Sequence, residues 1–300
     1  MAEDMTFLPK SKVLSIEEMA FIGRAFIELG VDKIRLTGGE PLVRKGVIEL
    51  AQQLKANPGL KELVMTSNGV LLDQFAQPLV DAGVSRINIS IDSLRAERFK
   101  QLTRFGNIED VLRGIAAAKQ AGFERLKLNA VILQGVNDDE VLELTQFAVD
   151  QGCDISFIEE MPLGDIDSHE RVNTQVESVS IRAQLEQCFR LSEYDVVDKS
   201  AGPSRYLTIV DSDTKVGFIS PMSNNFCASC NRVRLTTEGR LLLCLGNEHS
   251  LDLRQIVRDH PDNIDVLKKA IVTAMTNKPE RHYFDPKDIT ITRYMSATGG

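Results

Sequence analysis

The sequence predicts an α/β fold organised around a parallel sheet. Strand-like and helix-like segments alternate through the first half of the chain, and the gaps between them are short enough for parallel crossovers. After Pro162 the alternation gives way to one helix and two hairpin-like pairs, which predicts a second architecture in the C-terminal half. The alternation by itself does not separate an open doubly wound sheet from a barrel.

Ser15-Ile16-Glu17-Glu18 reads as a capping box, with Met19, Ile22, Phe26 and Leu29 following at helical spacing and Gly30 ending the helix. Lys33 to Thr37 reads as a strand, broken by Gly38-Gly39-Glu40-Pro41. A helix is predicted from Val47 to Lys55, a strand from Leu60 to Thr66 and a helix from Leu72 to Ala82. Val84 to Ile91 is a strand, with helical segments on either side of Gly106-Asn107. Arg125 to Leu133 is a strand, Asp139 to Asp150 a helix, and Ile155 to Glu159 the last strand of the series. Gly164 to Val176 is polar and loop-like, and Ser180 to Phe189 is helical. Tyr206 to Val210 and Val216 to Ser220 read as an antiparallel pair around Ser212-Asp213. Val233 to Thr237 and Arg240 to Leu245 read as a second pair around Glu238-Gly239, and Ile264 to Met275 as a helix. A boundary near residue 165 gives two domains, 1–165 and 166–300.

Composition narrows the function classes. Thirty-five Lys and Arg against 43 Asp and Glu give a net charge of -8, which does not suit a nucleic-acid binder or an acidic membrane surface. No apolar run reaches the length of a membrane span. Met1-Ala2-Glu3-Asp4-Met5 has neither a basic n-region nor an apolar h-region. Five cysteines in a long chain without a secretory signal fit a reducing compartment, so a cytoplasmic location is expected.

The strongest local signal is Cys227-Ala228-Ser229-Cys230, with thirteen residues separating Cys230 from Cys244. A CxxC turn directs two thiolates at one metal, and a third from a neighbouring hairpin makes three ligands. The spacing leaves structural zinc, with His249 as a fourth ligand, and an iron–sulfur cluster both open. Cys153 and Cys188 read as core residues. Asn231-Arg232-Val233-Arg234 follows the turn, and on a strand Arg232 and Arg234 share a face, a pairing suited to phosphate or carboxylate. Gly38-Gly39 permits close backbone approach to a ligand, with the Glu40 carboxylate beside it. Arg35 and Thr37 share one face of their strand and Ile34 and Leu36 the other; Lys127 and Asn129 repeat this between Leu126 and Leu128. Polar residues on one face of several parallel strands point to a polar ligand at the sheet centre or the strand ends.

In combination these segments resemble a known family. Leu36-Thr37-Gly38-Gly39-Glu40-Pro41 resembles the GGEP motif of radical S-adenosylmethionine (SAM) enzymes. With Thr66-Ser67-Asn68-Gly69, Asn88-Ile89-Ser90-Ile91-Asp92-Ser93-Leu94, the CxxC-x13-C set, Asn231-Arg232-Val233-Arg234-Leu235-Thr236 and the Gly299-Gly300 end, the chain resembles the GTP 3′,8-cyclases of molybdenum cofactor biosynthesis. The resemblance implies a partial (βα)6 TIM-like barrel, lacking its first strand, with a C-terminal α+β extension that carries an iron–sulfur site. It implies that Cys227, Cys230 and Cys244 hold a 4Fe–4S cluster with one open iron site for the guanine base, which leaves His249 a bystander. It implies GTP contacts at Arg35, Thr66, Lys127, Arg232 and Arg234, and SAM contacts at Gly39, Ser90 and Met161, with the Gly299-Gly300 tail reaching the active site.

The implied reaction is radical. SAM is cleaved reductively, the 5′-deoxyadenosyl radical takes hydrogen from C3′ of GTP, and the ribosyl radical attacks C8 to give (8S)-3′,8-cyclo-7,8-dihydroguanosine 5′-triphosphate. An electron donor is required, and the resemblance allows a homodimer. The family also carries CxxxCxxC for a second, SAM-binding 4Fe–4S cluster, and that motif is not in this sequence. Alignment on Phe7-Leu8-Pro9 sets Met1 just downstream of its last cysteine, so this chain is expected not to cleave SAM. The alternative is a non-catalytic GTP- or metal-binding module.

Overall fold

The computed structural model describes residues 8–163, 174–194, 202–247, 249–282 and 284. Five strands run parallel in chain order: β1 (Lys33–Leu36), β2 (Glu62–Ser67), β3 (Arg86–Ser90), β4 (Arg125–Val131) and β5 (Asp154–Ile158). They are joined by α2 (Val47–Lys55), α3 (Leu72–Asp81), α4 (Ala96–Thr103), α5 (Ile108–Ala121) and α6 (Val141–Gln151), with α1 (Ile16–Glu28) preceding them. The Ser15 capping box is formed: Glu18 N–H donates to Ser15 Oγ at 3.1 Å and Ser15 N–H to Glu18 Oε2 at 2.8 Å.

The sheet does not stop at β5. After α7 (Ser178–Leu185) come β6 (Leu191–Glu193), β7 (Arg205–Ile209) and β8 (Lys215–Ile219). β8 joins β5 as a sixth parallel strand, and β7 and β6 extend the same sheet in antiparallel register. A separate antiparallel sheet holds β9 (Arg234–Leu235), β10 (Arg240–Leu242) and β11 (Ser250–Asp252), followed by α8 (Leu253–Asp259) and α9 (Ile264–Met275). No described helix is long and apolar enough to cross a membrane.

The parallel strands have two unlike faces. Leu63, Met65, Ile87, Ile89, Leu128, Ala130, Ile155 and Phe157 are fully buried in the larger core, beneath the helices. The other face carries Thr66, Asn88, Lys127 and Asp154 in one row and Ser90, Asn129, Ser156 and Gly217 in the next. A parallel sheet covered on both sides is ordinarily apolar on both. Here the polar face is the inside of a partial barrel, as the family resemblance implies.

A second core joins Leu14, Ile22 and Ala25 to Leu241, Leu243, Leu253, Val257, Leu267 and Ile271. It seats the small sheet and its helices against α1. Arg258 donates to the carbonyls of Ser11 at 2.7 Å and Val13 at 3.0 Å and pairs with Glu18 at 2.7 Å, while Leu14 N–H donates to Thr237 O at 2.8 Å.

Helix α5 crosses the turn after β2 at Gly114, where a Cβ would lie 2.1 Å from the Gly69 carbonyl oxygen. Gly114→Ala should therefore destabilise the chain by about 1–3 kcal/mol in urea unfolding, as overpacking does. Gln120→Ala, on the exposed side of the same helix, should stay within about 0.5 kcal/mol; equal effects contradict this packing.

Asp92 follows β3 and accepts from Val131 N–H at 2.8 Å. Burial pushes its carboxyl up to about 6, against the pull of that N–H. The folded chain holds this proton more tightly than the unfolded chain. The stability it contributes is full below about pH 4 and is lost as the pH rises through about 6. Between about pH 4 and pH 7, Asp92→Asn should gain on the parent by about 2–3 kcal/mol in unfolding free energy. A difference that stays constant with pH contradicts the assignment.

Candidate functional site at the carboxyl edge of the sheet

The turns after β1 and β2 are locked together. The Glu40 carboxylate accepts from Leu42 N–H at 3.1 Å, Ser67 Oγ at 3.0 Å and Asn68 N–H at 2.7 Å. Burial raises its pKa more than these bonds lower it. Glu40 thus serves the neighbouring loop, where its position beside two glycines had suggested a ligand. Gly38 has φ 151° and Gly69 φ 84°, backbone that favours glycine, so both turns depend on residue type. Gly39, Ser90 and Met161 stand at or just beyond the carboxyl ends of β1, β3 and β5. Ser90 and Gly39 are exposed there and Met161 is half-buried. Open α/β sheets bind ligands at this edge.

Four of the sequence-selected cations converge. Arg35 projects from β1 and donates from Nη1 to Thr66 Oγ1 on β2 at 2.9 Å. It is open to solvent yet ringed by protein, as a side chain inside a concavity is. Burial, Arg86 and Arg232 hold its pKa down to about 10, with Tyr206 and Glu62 opposing. Arg234 is likewise lowered to about 10, by burial, Arg232 and Arg35, with Cys230 and Cys244 opposing. Lys127 is lowered by burial and by Arg35, with Tyr206 and Asp154 opposing. Each of these cations feels a charge from another strand or from the second sheet, so β1, β4 and the β9 segment bring them to one region.

The nearby acids are taken up elsewhere. Glu62 binds Lys33 at 2.8 Å and Arg86 at 2.6 Å, and Asp154 binds Arg125 and the Lys215 N–H. Among the described residues, Arg35, Lys127 and Arg232 form no ion pair. Arg232 instead lies over the Phe226 ring, 5.1 Å from its centroid.

The three cysteines of the C-terminal set are free thiols, each half-buried. Cys227 opens a 3-10 turn, and Cys230 N–H donates to Cys227 O at 3.0 Å. Cys244 follows β10, the strand paired with β9. The Lys278 ammonium joins the two segments, donating to Arg232 O at 2.9 Å and Leu243 O at 2.6 Å. Burial pushes the Cys230 thiol up, but the Arg232 N–H and charge and the Lys278 charge bring it below its ordinary value. Among the described residues, no three His, Cys, Asp or Glu side chains gather closely enough to hold a single metal ion. The donor chemistry still fits a thiolate-ligated cluster: three unoxidised thiols stand on two tied segments, amid positive charge. His249 is exposed, its N–H bonded to Asn247.

Sequence reading missed several participants. His282 N–H donates to Cys227 Sγ at 3.4 Å, Lys278 ties the hairpin, and Tyr206 meets Lys127 at 3.2 Å. The alternation of Tyr206 and Thr208 along β7 is the one sequence signal that could have found the last of these. Cys153 is buried with its thiol pushed up to about 11, as a core residue. Cys188 is corrected: it is exposed, because α7 ends at Leu185 and leaves it in the following turn. The buried Oδ1 of Asn129 has no hydrogen-bond partner among the described residues. It stands between Ser90 and Ser156 in register, and such an orphan acceptor suits a ligand that donates a hydrogen bond. The Gly299-Gly300 tail lies outside the described residues.

Comparison with known proteins gives the family of the chain. A family model described as the radical SAM superfamily matches residues 2–148, and one described as Molybdenum Cofactor Synthesis C matches residues 153–284. A GTP 3′,8-cyclase of Pseudomonas putida (strain W619) is 56% identical over 100% of this chain and 90% of its own length. One from Saccharophagus degradans is 54% identical with the same coverage. Among solved structures, Streptococcus suis SuiB bound to S-adenosylmethionine matches with a TM-score of 0.59 at 14% identity, over 90% of this chain and 62% of that one, a likeness of fold. With more than half of its residues identical along its whole length to such relatives, the chain belongs to the GTP 3′,8-cyclase family of radical SAM enzymes.

Proposed function

We propose that the protein is a GTP 3′,8-cyclase of molybdenum cofactor biosynthesis whose GTP and SAM sites share the carboxyl edge of the partial barrel. The observation that carries the placement is the convergence of Arg35, Lys127, Arg232 and Arg234. In a chain of net charge -8 the overall field repels a nucleotide, so a local cationic cluster of this kind has a specific use. Desolvated guanidinium and ammonium groups that depress one another gain most when a polyanion enters among them.

In this reading Arg35, Thr66, Lys127, Arg232 and Arg234 hold GTP, with the triphosphate among the cations. Gly39, Ser90 and Met161 receive SAM at the open strand ends, and the unpartnered Asn129 acceptor faces the same cavity. Cys227, Cys230 and Cys244 hold a 4Fe–4S cluster on the side of the hairpin. SAM would supply the radical at a second 4Fe–4S cluster, whose CxxxCxxC motif is not in this sequence, at the expense of an external electron donor. The chain's own task is to fix the two ligands relative to each other, since an error of about an ångström costs on the order of a hundredfold in rate. Thr66 contributes by fixing the Arg35 guanidinium, and the apolar packing behind the sheet keeps the strand ends rigid.

Two measurements test this. In calorimetric titration with GTP, Arg234→Ala should weaken binding by about ten- to a hundredfold, the worth of one desolvated charge-assisted phosphate contact. Lys268→Ala, in the surface pairs with Glu28 and Asp265, should leave binding unchanged. Equal binding by the two variants removes the triphosphate from this site. After anaerobic reconstitution, the chain should take up iron and sulfide and show broad visible absorption. Cys230→Ala should lose that absorption and His249→Ala should keep it. Stoichiometric zinc without iron in the purified protein contradicts the cluster assignment.

A further inference from the structure

We propose that Tyr206 is a positioning residue that sets the Lys127 ammonium for the phosphate chain of the nucleotide, an inference that rests on the triphosphate reading above. Tyr206 belongs to β7, which lies beyond β5 and β8 from β4, the strand that carries Lys127. Its register partner is Gly217 on β8, which pairs with Ser156 on β5, which pairs with Asn129 on β4. The ring reaches Lys127 by crossing that row.

The crossing is possible because residue 217 has no side chain. A Cβ there would lie 2.1 Å from Ser204 Oγ, 2.6 Å from Ser156 Oγ and 2.8 Å from Tyr206 Cε1. Without it, the Ser156 and Ser204 hydroxyls meet at 3.0 Å, and the phenol stands 3.2 Å from Lys127 Nζ, with the ammonium 5.8 Å from the ring centroid. Tyr206 is itself braced. Tyr194 meets it edge-on, with centroids 6.3 Å apart at 73°, and Lys215 fixes Tyr194 by a 2.6 Å bond to its hydroxyl and a 3.8 Å contact over its ring.

Lysine's long stem and three donors give it little orientation of its own. Among the described residues, the Tyr206 hydroxyl is the one hydrogen-bond partner of the Lys127 ammonium. Burial and Arg35 disfavour charge on Lys127, and Tyr206 opposes them. One N–H is spent on the phenol and two are left for phosphate oxygens.

The test is a double-mutant cycle on GTP affinity, with circular dichroism and melting temperature establishing that each variant is folded. Tyr206→Phe keeps the ring and its brace and removes the hydroxyl. It should weaken GTP by about three- to tenfold, the range of one hydrogen bond to a charged group that is partly replaced by water. In the Lys127→Ala background the same change should cost nothing further. Additive losses would mean that Tyr206 acts on something other than Lys127 and overturn the proposal. Lys127→Ala weak with Tyr206→Phe silent overturns it alone. Lys127→Ala binding GTP as tightly as the parent overturns the triphosphate reading, and this proposal with it.

Discussion

The apolar face of the parallel sheet is the constraint from which the rest follows. Leu63, Met65, Ile87, Ile89, Leu128, Ile155 and Phe157 pack beneath the helices with essentially no exposure, and that burial accounts for the sheet's stability from one side. Because side chains alternate, the same backbone presents the next residue to the interior at every step. The interior is therefore released from core duty and can hold cations, hydroxyls and amides. Such a lining is unfavourable by itself: Arg35 and Arg234 are each pushed down to about 10 by burial and by their neighbours' charge. The cost is electrostatic, and in the proposed reading the triphosphate is the group that offsets it.

The C-terminal half completes this interior in two ways. β8 enters the sheet beside β5, and β7 brings Tyr206 across Gly217 to the inner face. The small sheet arrives from the other side, seated on α1 through the second core and fixed by Arg258 to Ser11, Val13 and Glu18. This seating gives the β9 segment a fixed distance from β1, so Arg234 and Arg35 feel each other's charge. Lys278 then ties the segments next to Cys230 and Cys244 through the backbone carbonyls of Arg232 and Leu243, without using a side chain of either segment.

Local chemistry was legible in the sequence and long-range pairing was not. The Ser15 capping box, the β1 to β5 series and the C-terminal helix at Ile264–Met275 follow from spacing alone. The face-sharing of Lys127 and Asn129 also followed, because a strand's period is two. The Tyr206 to Val210 and Val216 to Ser220 pair was visible as a hairpin, but its attachment to β5 was not, since no local pattern encodes which edge a hairpin joins. Helix α8 was missed although Asp252 caps it through Gln255 N–H, because seven residues are too few to show a period. Glu40 was read as a ligand-side carboxylate; its three donors come partly from Ser67 and Asn68, a contact set by the tertiary fold. Tyr206 and Lys278 escaped for the same reason, as each acts on a residue far away in sequence.

The central claim is spatial: the carboxyl edge of the parallel sheet and the arginines beside the cysteine turn enclose one polyanion. A crystal structure of the chain with GTP tests it most directly. The claim predicts triphosphate oxygens within hydrogen-bond distance of Arg35 and Lys127 on one side and of Arg232 or Arg234 on the other. A nucleotide bound elsewhere, with these four cations arranged as they are without it, would contradict it.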